Sequence, residues 1–113
     1  MEYGIRERDD ILVIDVPRNG VSFDTAEVLE DFIIRFLDAG KTRIVLNMAK
    51  VDFIDSRGLG VLLALHSRSS QGGSLALCCI LGKVGQVMSL TQMDRILNLF
   101  GTEDDAVAFL RDR

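Results

Sequence analysis

The sequence predicts an α/β fold: a mixed, largely parallel four- to five-stranded sheet packed with about four helices, in a single domain over residues 1–113. Short apolar runs with a strand pattern alternate with longer segments whose apolar residues recur at helical spacing, as in parallel sheets covered by helices. A length of 113 residues suffices for one core but not for two domains. Hydrophobic residues make up 48% and charged residues 27%, which is typical of a compact globular protein.

Turn-forming residues separate the predicted elements. Asp9-Asp10 joins the first two strands, Pro17 to Gly20 ends the second strand, and Gly72-Gly73 ends the second helix. The predicted strands comprise residues 3–8, 11–16, 43–48, 74–81 and 96–100, and the predicted helices comprise residues 25–39, 57–71, 84–93 and 103–111.

The first helix has a recognisable start and end. Asp24 is a residue type that caps helices, and Glu27 three positions later completes a pattern that resembles a capping box. Gly40 is a natural stop after the last apolar position. We therefore expect Asp24 to cap this helix.

The segment Asp55-Ser56-Arg57-Gly58-Leu59-Gly60 is the most informative part of the chain, because it lies where an extended apolar segment turns into a helix. Asp55 and Ser56 are both good capping residues. Backbone N–H groups at a helix start lack intrahelical partners and carry partial positive charge, so an anion attached to Ser56 would find donors in place. Two roles stay open for Ser56: a helix cap and a site of anionic modification.

The residues around this segment have two further features. The stretch Ala49–Gly58 is predicted to be a loop of up to ten residues, and long loops often carry function. From Leu59 to Leu65 every position except Gly60 is apolar, more than a one-faced surface helix requires. Burial under a partner and burial under the rest of the domain both stay open.

Composition and charge exclude several classes of protein. The net charge is −4 and no basic run with interleaved aromatic residues is present, so a nucleic-acid partner is not expected. The sequence has no apolar signal region at its start and no apolar stretch long enough for a membrane span. We expect a cytoplasmic protein without a membrane partner.

Catalysis finds little support in the sequence. The only histidine, His66, would lie about 15 Å along the same helix from Ser56 and is out of reach as its base. The nucleophile-elbow motif GxSxG and the phosphate-binding loop motif are absent. Cys78 and Cys79 lie in an apolar run and are interpreted as reduced packing residues, and one histidine without a CxxC pair does not indicate zinc. We therefore predict no enzyme activity, no metal and no cofactor.

Read in order, the strand Ile44–Asn47, the segment Phe53–Leu62 with its Asp-Ser-x-Gly-Leu-Gly pattern, and Gly72-Gly73 before a cysteine-containing strand closely resemble the STAS domain family, in particular the small bacterial anti-sigma-factor antagonists. The resemblance covers nearly the whole chain. It implies a non-catalytic module that binds an anti-sigma factor with serine kinase activity and is inactivated when that kinase phosphorylates it. It also implies a serine phosphatase as a partner, and a weak homodimer stays open.

The resemblance assigns roles residue by residue. Ser56 matches the phosphorylated serine of the family, and Asp24 matches an acidic residue near it. Two positions depart from the family pattern: Arg57 stands where Ser or Thr is common, and Val21 stands three residues before Asp24, where Gly is usual. The expected partner-binding residues are Asp24, Asp55, Ser56, Arg57, Gly58 and Leu59.

Three hypotheses from different classes follow. The first is the phospho-switched binding module, the second is a small enzyme, and the third is a STAS scaffold or regulatory subunit of a stress-signalling complex that acts on another kind of partner. The sequence favours the first, because an enzyme would need a catalytic pair that is not recognisable here.

Overall fold

The computed structural model describes residues 2–70 and 74–113, and over these residues it forms one five-stranded sheet with four α-helices. The strands lie in chain order; β1 runs antiparallel to β2 and the other three pairings are parallel. The predicted fold class is confirmed. The strands are β1 Gly4–Arg8, β2 Ile11–Asp15, β3 Arg43–Asn47, β4 Ser74–Cys78 and β5 Leu99–Phe100; the helices are α1 Ala26–Asp38, α2 Ser56–Ser69, α3 Gly82–Leu90 and α4 Glu103–Arg111.

The central strands are apolar because both faces of the sheet are covered. Alternate side chains point to opposite faces, so Leu12 and Ile14 of β2 join the core under α1, α2 and α3, while Ile11 and Val13 join the core under α4. The same alternation holds in β3 and β4. The hairpin between β1 and β2 turns at Asp9-Asp10, both with positive φ, as the sequence predicts.

The predicted cap of α1 is wrong. Thr25 occupies the N-cap position without a side-chain capping bond, and Asp24 is exposed one residue earlier. The reason is a tight turn before the helix, in which the N–H groups of Thr25 and Ala26 donate to the carbonyl of Ser22 at 3.0 and 2.7 Å. Glu27 does not complete a capping box; its carboxylate lies beside Arg57 of α2 instead.

Most other differences from prediction concern the ends of elements. The β4 strand stops at Cys78 because Cys79 adopts a left-handed φ of 63°. The α3 helix begins at Gly82 and ends at Leu90, and Gln92 with a φ of 60° separates it from a 3₁₀ turn at Met93–Arg95. The last strand is only two residues long. The predicted stop of the second helix at Gly72-Gly73 lies outside the described residues.

The apolar stretch of α2 is covered mainly by the domain itself. Leu59, Val61, Leu62 and Leu65 are buried in the core, whereas Gly60 is exposed. Of the two explanations that the sequence leaves open for this stretch, burial under the rest of the domain is therefore the main one. Across the described parts of the chain, no helix combines the length and the apolar character needed to cross a membrane.

An ionic cluster joins the edge strand β1 to α4, the helix that covers the face of the sheet opposite to α1, α2 and α3. Glu103, the first residue of α4, accepts bonds from Arg6 at 2.6 and 2.9 Å, from Arg8 at 2.8 Å and from the Asn47 amide at 3.0 Å. Its side chain is only 16% exposed. The hydrogen bonds from Arg6, with smaller contributions from Arg8 and Asn47, lower the pKa of Glu103 from 4.5 to about 2.

We predict that Glu103→Gln lowers the free energy of unfolding by about 1–3 kcal/mol at pH 7. Because the pKa of Glu103 is depressed in the folded state to about 2, this stabilisation is complete above pH 4.5 and is lost as the pH falls through 2. The loss in the variant should therefore shrink to about half by pH 3, measured by urea unfolding. The control is Glu7→Gln, whose exposed pair with Lys41 is 3.4 Å long. A deficit that is equal at both pH values would contradict the ionic account.

Candidate functional site

The loops that follow the parallel strands β2, β3 and β4 emerge at the same edge of the sheet, because parallel strands share the direction of their carboxyl ends. These loops comprise residues 16–25, 48–55 and 79–81. Ser56 follows the second loop directly as the first residue of α2. This second loop is eight residues long, whereas the sequence predicts a loop over Ala49–Gly58, because α2 begins at Ser56.

Asp55 fixes the geometry of this edge with its two carboxylate oxygens. Oδ1 accepts the N–H of Gly58 at 2.9 Å and so caps α2. Oδ2 accepts the N–H of Phe23 at 2.7 Å, in the loop that leads to α1. One side chain therefore joins the start of α2 to the loop before α1.

Gly58 allows the same two segments to approach each other closely. A Cβ atom at this position would lie 2.1 Å from the carbonyl oxygen of Val21, a separation that a real side chain cannot adopt. Gly58 and Leu59 are buried in the isolated domain. Both residues therefore position the helix start, and neither presents a side chain at the surface.

Ser56 is exposed, and its hydroxyl has no hydrogen-bond partner among the residues that the structure describes. The cap of α2 is Asp55, so Ser56 is not needed for that role. Of the two roles that the sequence leaves open for Ser56, the role of helix cap therefore belongs to Asp55 instead. The hydroxyl is free to react with an external group at the positive end of a 14-residue helix.

Charged side chains flank the serine. Arg57 is half-exposed, and its Nη2 atom lies 3.3 Å from Oε2 of Glu27 at the start of α1. Asp24 is exposed and follows Phe23, whose backbone is bonded to Asp55. The structure therefore brings the six sequence-predicted residues to one end of the α1–α2 pair.

Sequence reasoning missed the aromatic residues of this site. Phe23 is 74% exposed and Phe53 is 55% exposed, and they lie in the two segments that Asp55 joins. Leu81, 66% exposed, lines an adjoining cleft of about 390 Å³ together with Asp52 and neighbouring residues. Three large apolar side chains are therefore left in water on the loops at this edge of the sheet. The only sequence signal for Phe23 was its position in an otherwise polar turn.

The site presents a hydroxyl and offers no recognisable means of activating it. His66 lies ten residues further along α2, about 15 Å away along the axis, and its Nδ1 atom is buried. Among the described residues, no group of three or more His, Cys, Asp or Glu side chains is placed to hold a metal ion.

The fold and the site define a class: small α/β domains that expose a serine at the start of a helix beside an apolar surface. The family profile of the STAS domain matches residues 3–106, and the chain belongs to this family. A Thermotoga maritima protein described as a candidate anti-sigma factor antagonist is 34% identical over 105 residues, which cover 91% of this chain and 92% of that protein. The sequence-based resemblance is confirmed.

Solved structures share the fold of this chain. The crystal structure of a candidate anti-sigma factor antagonist from Thermotoga maritima has a TM-score of 0.85 at 28% identity, covering 96% of this chain and 94% of that one. The anti-sigma factor antagonist SpoIIAA shares the fold in its unphosphorylated form, with a TM-score of 0.70 at 17% identity and coverage of 97% and 98%. The phosphorylated form of SpoIIAA from Bacillus has a TM-score of 0.69 at 19% identity and coverage of 99% and 100%.

We predict that Gly58→Ala and Gly60→Ala change stability in opposite directions. Gly58→Ala places a methyl group against the Val21 carbonyl and should cost about 1–3 kcal/mol. Gly60 lies on the same helix with no atom within 4 Å of an added Cβ, so its replacement should stabilise by about 0.5–1 kcal/mol. Denaturant unfolding of both variants tests this. Equal stability would show that the close approach at Gly58 is not a constraint.

Proposed function

We propose that this protein is an anti-sigma-factor antagonist that acts as a phospho-switched binding module in the cytoplasm. In its unphosphorylated form it binds an anti-sigma factor that is also a serine kinase, and phosphorylation of Ser56 releases that partner. A serine phosphatase restores the binding form. The domain performs no catalytic turnover of its own.

The observation that carries this proposal is the exposed, unbonded hydroxyl of Ser56 at a helix start that Asp55 already caps. A kinase needs an accessible hydroxyl, and the fold does not use this one. Membership of the STAS family and the description of relatives as anti-sigma factor antagonists support the same role.

The phosphate should be compatible with the folded domain. It adds about −1.5 to −2 charges, and a negative group at a helix N-terminus is stabilised by the helix dipole. Inhibition must therefore arise at the interface, where a doubly charged and strongly hydrated group would have to lose water against the partner. A cost of several kcal/mol at an interface changes an affinity by orders of magnitude.

The apolar side chains beside Ser56 supply the attractive part of the interface. Phe23 and Phe53 are exposed aromatic residues in the two segments that Asp55 joins. Aromatic residues contribute strongly at protein interfaces because they bury a large area with few rotatable bonds. The proposed contact surface therefore comprises Phe23, Asp24, Phe53, Ser56 and Arg57, with Asp55, Gly58 and Leu59 positioning it.

The first functional prediction concerns Ser56 itself. Ser56→Ala should abolish phosphorylation, keep partner binding and leave the unfolding free energy within about 0.5 kcal/mol, because Asp55 caps the helix. Ser56→Asp should fold normally and bind the partner more weakly, with a smaller effect than phosphate because it carries one charge. Mass spectrometry of protein from its native cells and calorimetric titration with the kinase partner measure both effects.

The matched control is Ser67→Ala, an exposed serine on the same helix. Phosphate on Ser67 or Ser22 and none on Ser56 would move the modification site. Equal partner affinity for wild type, Ser56→Asp and phosphorylated protein would refute the switch. Large assemblies on size-exclusion chromatography, with no effect of phosphorylation, would favour the scaffold alternative.

The second functional prediction concerns the aromatic surface. Phe23→Ala and Phe53→Ala should each weaken partner binding by about 10-fold or more, the effect typical of interface anchor residues, while barely changing domain stability. Leu90→Ala is the control, because Leu90 is 85% exposed but belongs to the end of α3. A loss of affinity in the Leu90 variant without one in the phenylalanine variants would place the interface elsewhere.

A further inference from the structure

The residue directly after Ser56 suggests how this chain accommodates the modification. We propose that Arg57 exchanges partners on phosphorylation: it pairs with Glu27 in the unmodified protein and with the phosphate on Ser56 afterwards. This inference rests on the proposed phosphorylation of Ser56 and concerns a residue where the family commonly has Ser or Thr.

The ion pair between Arg57 and Glu27 is weak. Its single contact with Glu27 is 3.3 Å long, and the two side chains are 51% and 70% exposed. Exposed pairs of this kind contribute little to stability, because solvent screens them and both side chains lose freedom. The contrast is Arg6, which contacts Glu103 at 2.6 and 2.9 Å where Glu103 is 16% exposed. The Arg57 side chain therefore extends toward the start of α1, but only a weak ion pair holds it there.

A phosphate is a stronger acceptor for Arg57 than the Glu27 carboxylate. It offers three oxygens and up to two charges, and guanidinium binds such groups through two parallel hydrogen bonds. Adjacent side chains on a helix diverge by about 100°. The Arg57 guanidinium nevertheless extends toward the start of α1. The bond from the Phe23 N–H to Asp55 holds the loop before α1 against the start of α2, where Ser56 lies.

The exchange redistributes charge at the switch. The segments that meet at this edge also carry other charged groups, among them Asp55 at the cap of α2, Asp24 and Glu27 at the start of α1, and the Arg18–Asp52 pair of the neighbouring loops. When Arg57 turns to the phosphate, the Glu27 carboxylate loses its cation and becomes a free negative charge beside Asp24. A partner surface then meets a phosphate whose charge Arg57 offsets in part, and a newly unpaired carboxylate at Glu27.

The test uses the full chain with phosphoserine installed at position 56 during translation and the second ionisation of the phosphate followed by ³¹P NMR. Loss of the cation in Arg57→Gln should raise the pKa of the phosphate by about half a unit or more. Arg57→Lys should give an intermediate value. The matched control is Arg68→Gln, because Arg68 also joins α2 to α1, through a 2.9 Å pair with Asp38 at the opposite end.

An unchanged phosphate pKa in Arg57→Gln, or an equal shift in Arg68→Gln, would overturn the exchange. Nuclear magnetic resonance of the Arg57 guanidinium gives a second readout, since its Nε signal should move on phosphorylation of wild type. No kinase or partner is present in either measurement. Absence of phosphate on the native protein would refute the proposed function but would leave these results unaffected.

Discussion

The two hydrogen bonds accepted by Asp55 are the constraint on which the functional edge depends. One bond caps α2 at Gly58 and the other holds the Phe23 backbone. Both segments leave their strands through irregular loops, and the Asp55 side chain ties them together beyond what packing in the shared core supplies. The absence of a side chain at Gly58 permits the same approach, with the Val21 carbonyl filling the space of a Cβ.

This arrangement separates the integrity of the fold from the proposed signal. Asp55, Gly58 and Leu59 are partly or fully buried and hold the helix in place, while Ser56 and Arg57 are exposed and make no strong contact. A domain built in this way can accept and lose a phosphate without being destabilised, since none of the groups that position α2 is altered. In the proposed switch, the effect of phosphorylation is then confined to the proposed partner surface, where desolvation of charge is costly.

The sequence and the structure agree best where local pattern and burial act together. The continuous apolar runs of β2, β3 and β4 reflect coverage on both faces of the sheet, so the sequence pattern alone predicted them as buried strands. Prediction failed at the start of α1, where a backbone turn supplied hydrogen bonds that the sequence pattern assigned to a side chain. Asp24 has the chemistry of a cap, but the carbonyl of Ser22 accepts the N–H groups of Thr25 and Ala26. The position of Asp55 in the sequence predicts a cap of α2, and in the folded domain Asp55 also accepts the N–H of Phe23.

The sequence by itself determined the fold class, the family and the presence of Ser56 at a helix start, because helical and strand periodicities and a local capping pattern are properties of neighbouring residues. Only the tertiary structure decided that Asp55 rather than Ser56 caps α2, that the apolar stretch of α2 is covered by its own domain, and that Phe23 and Phe53 stay exposed beside the serine. The Asp55 cap is a local contact, but the sequence offered Ser56 for it as well. The other outcomes depend on contacts between residues distant in the sequence, such as Phe23 and Asp55 at 32 positions apart, which no local pattern encodes.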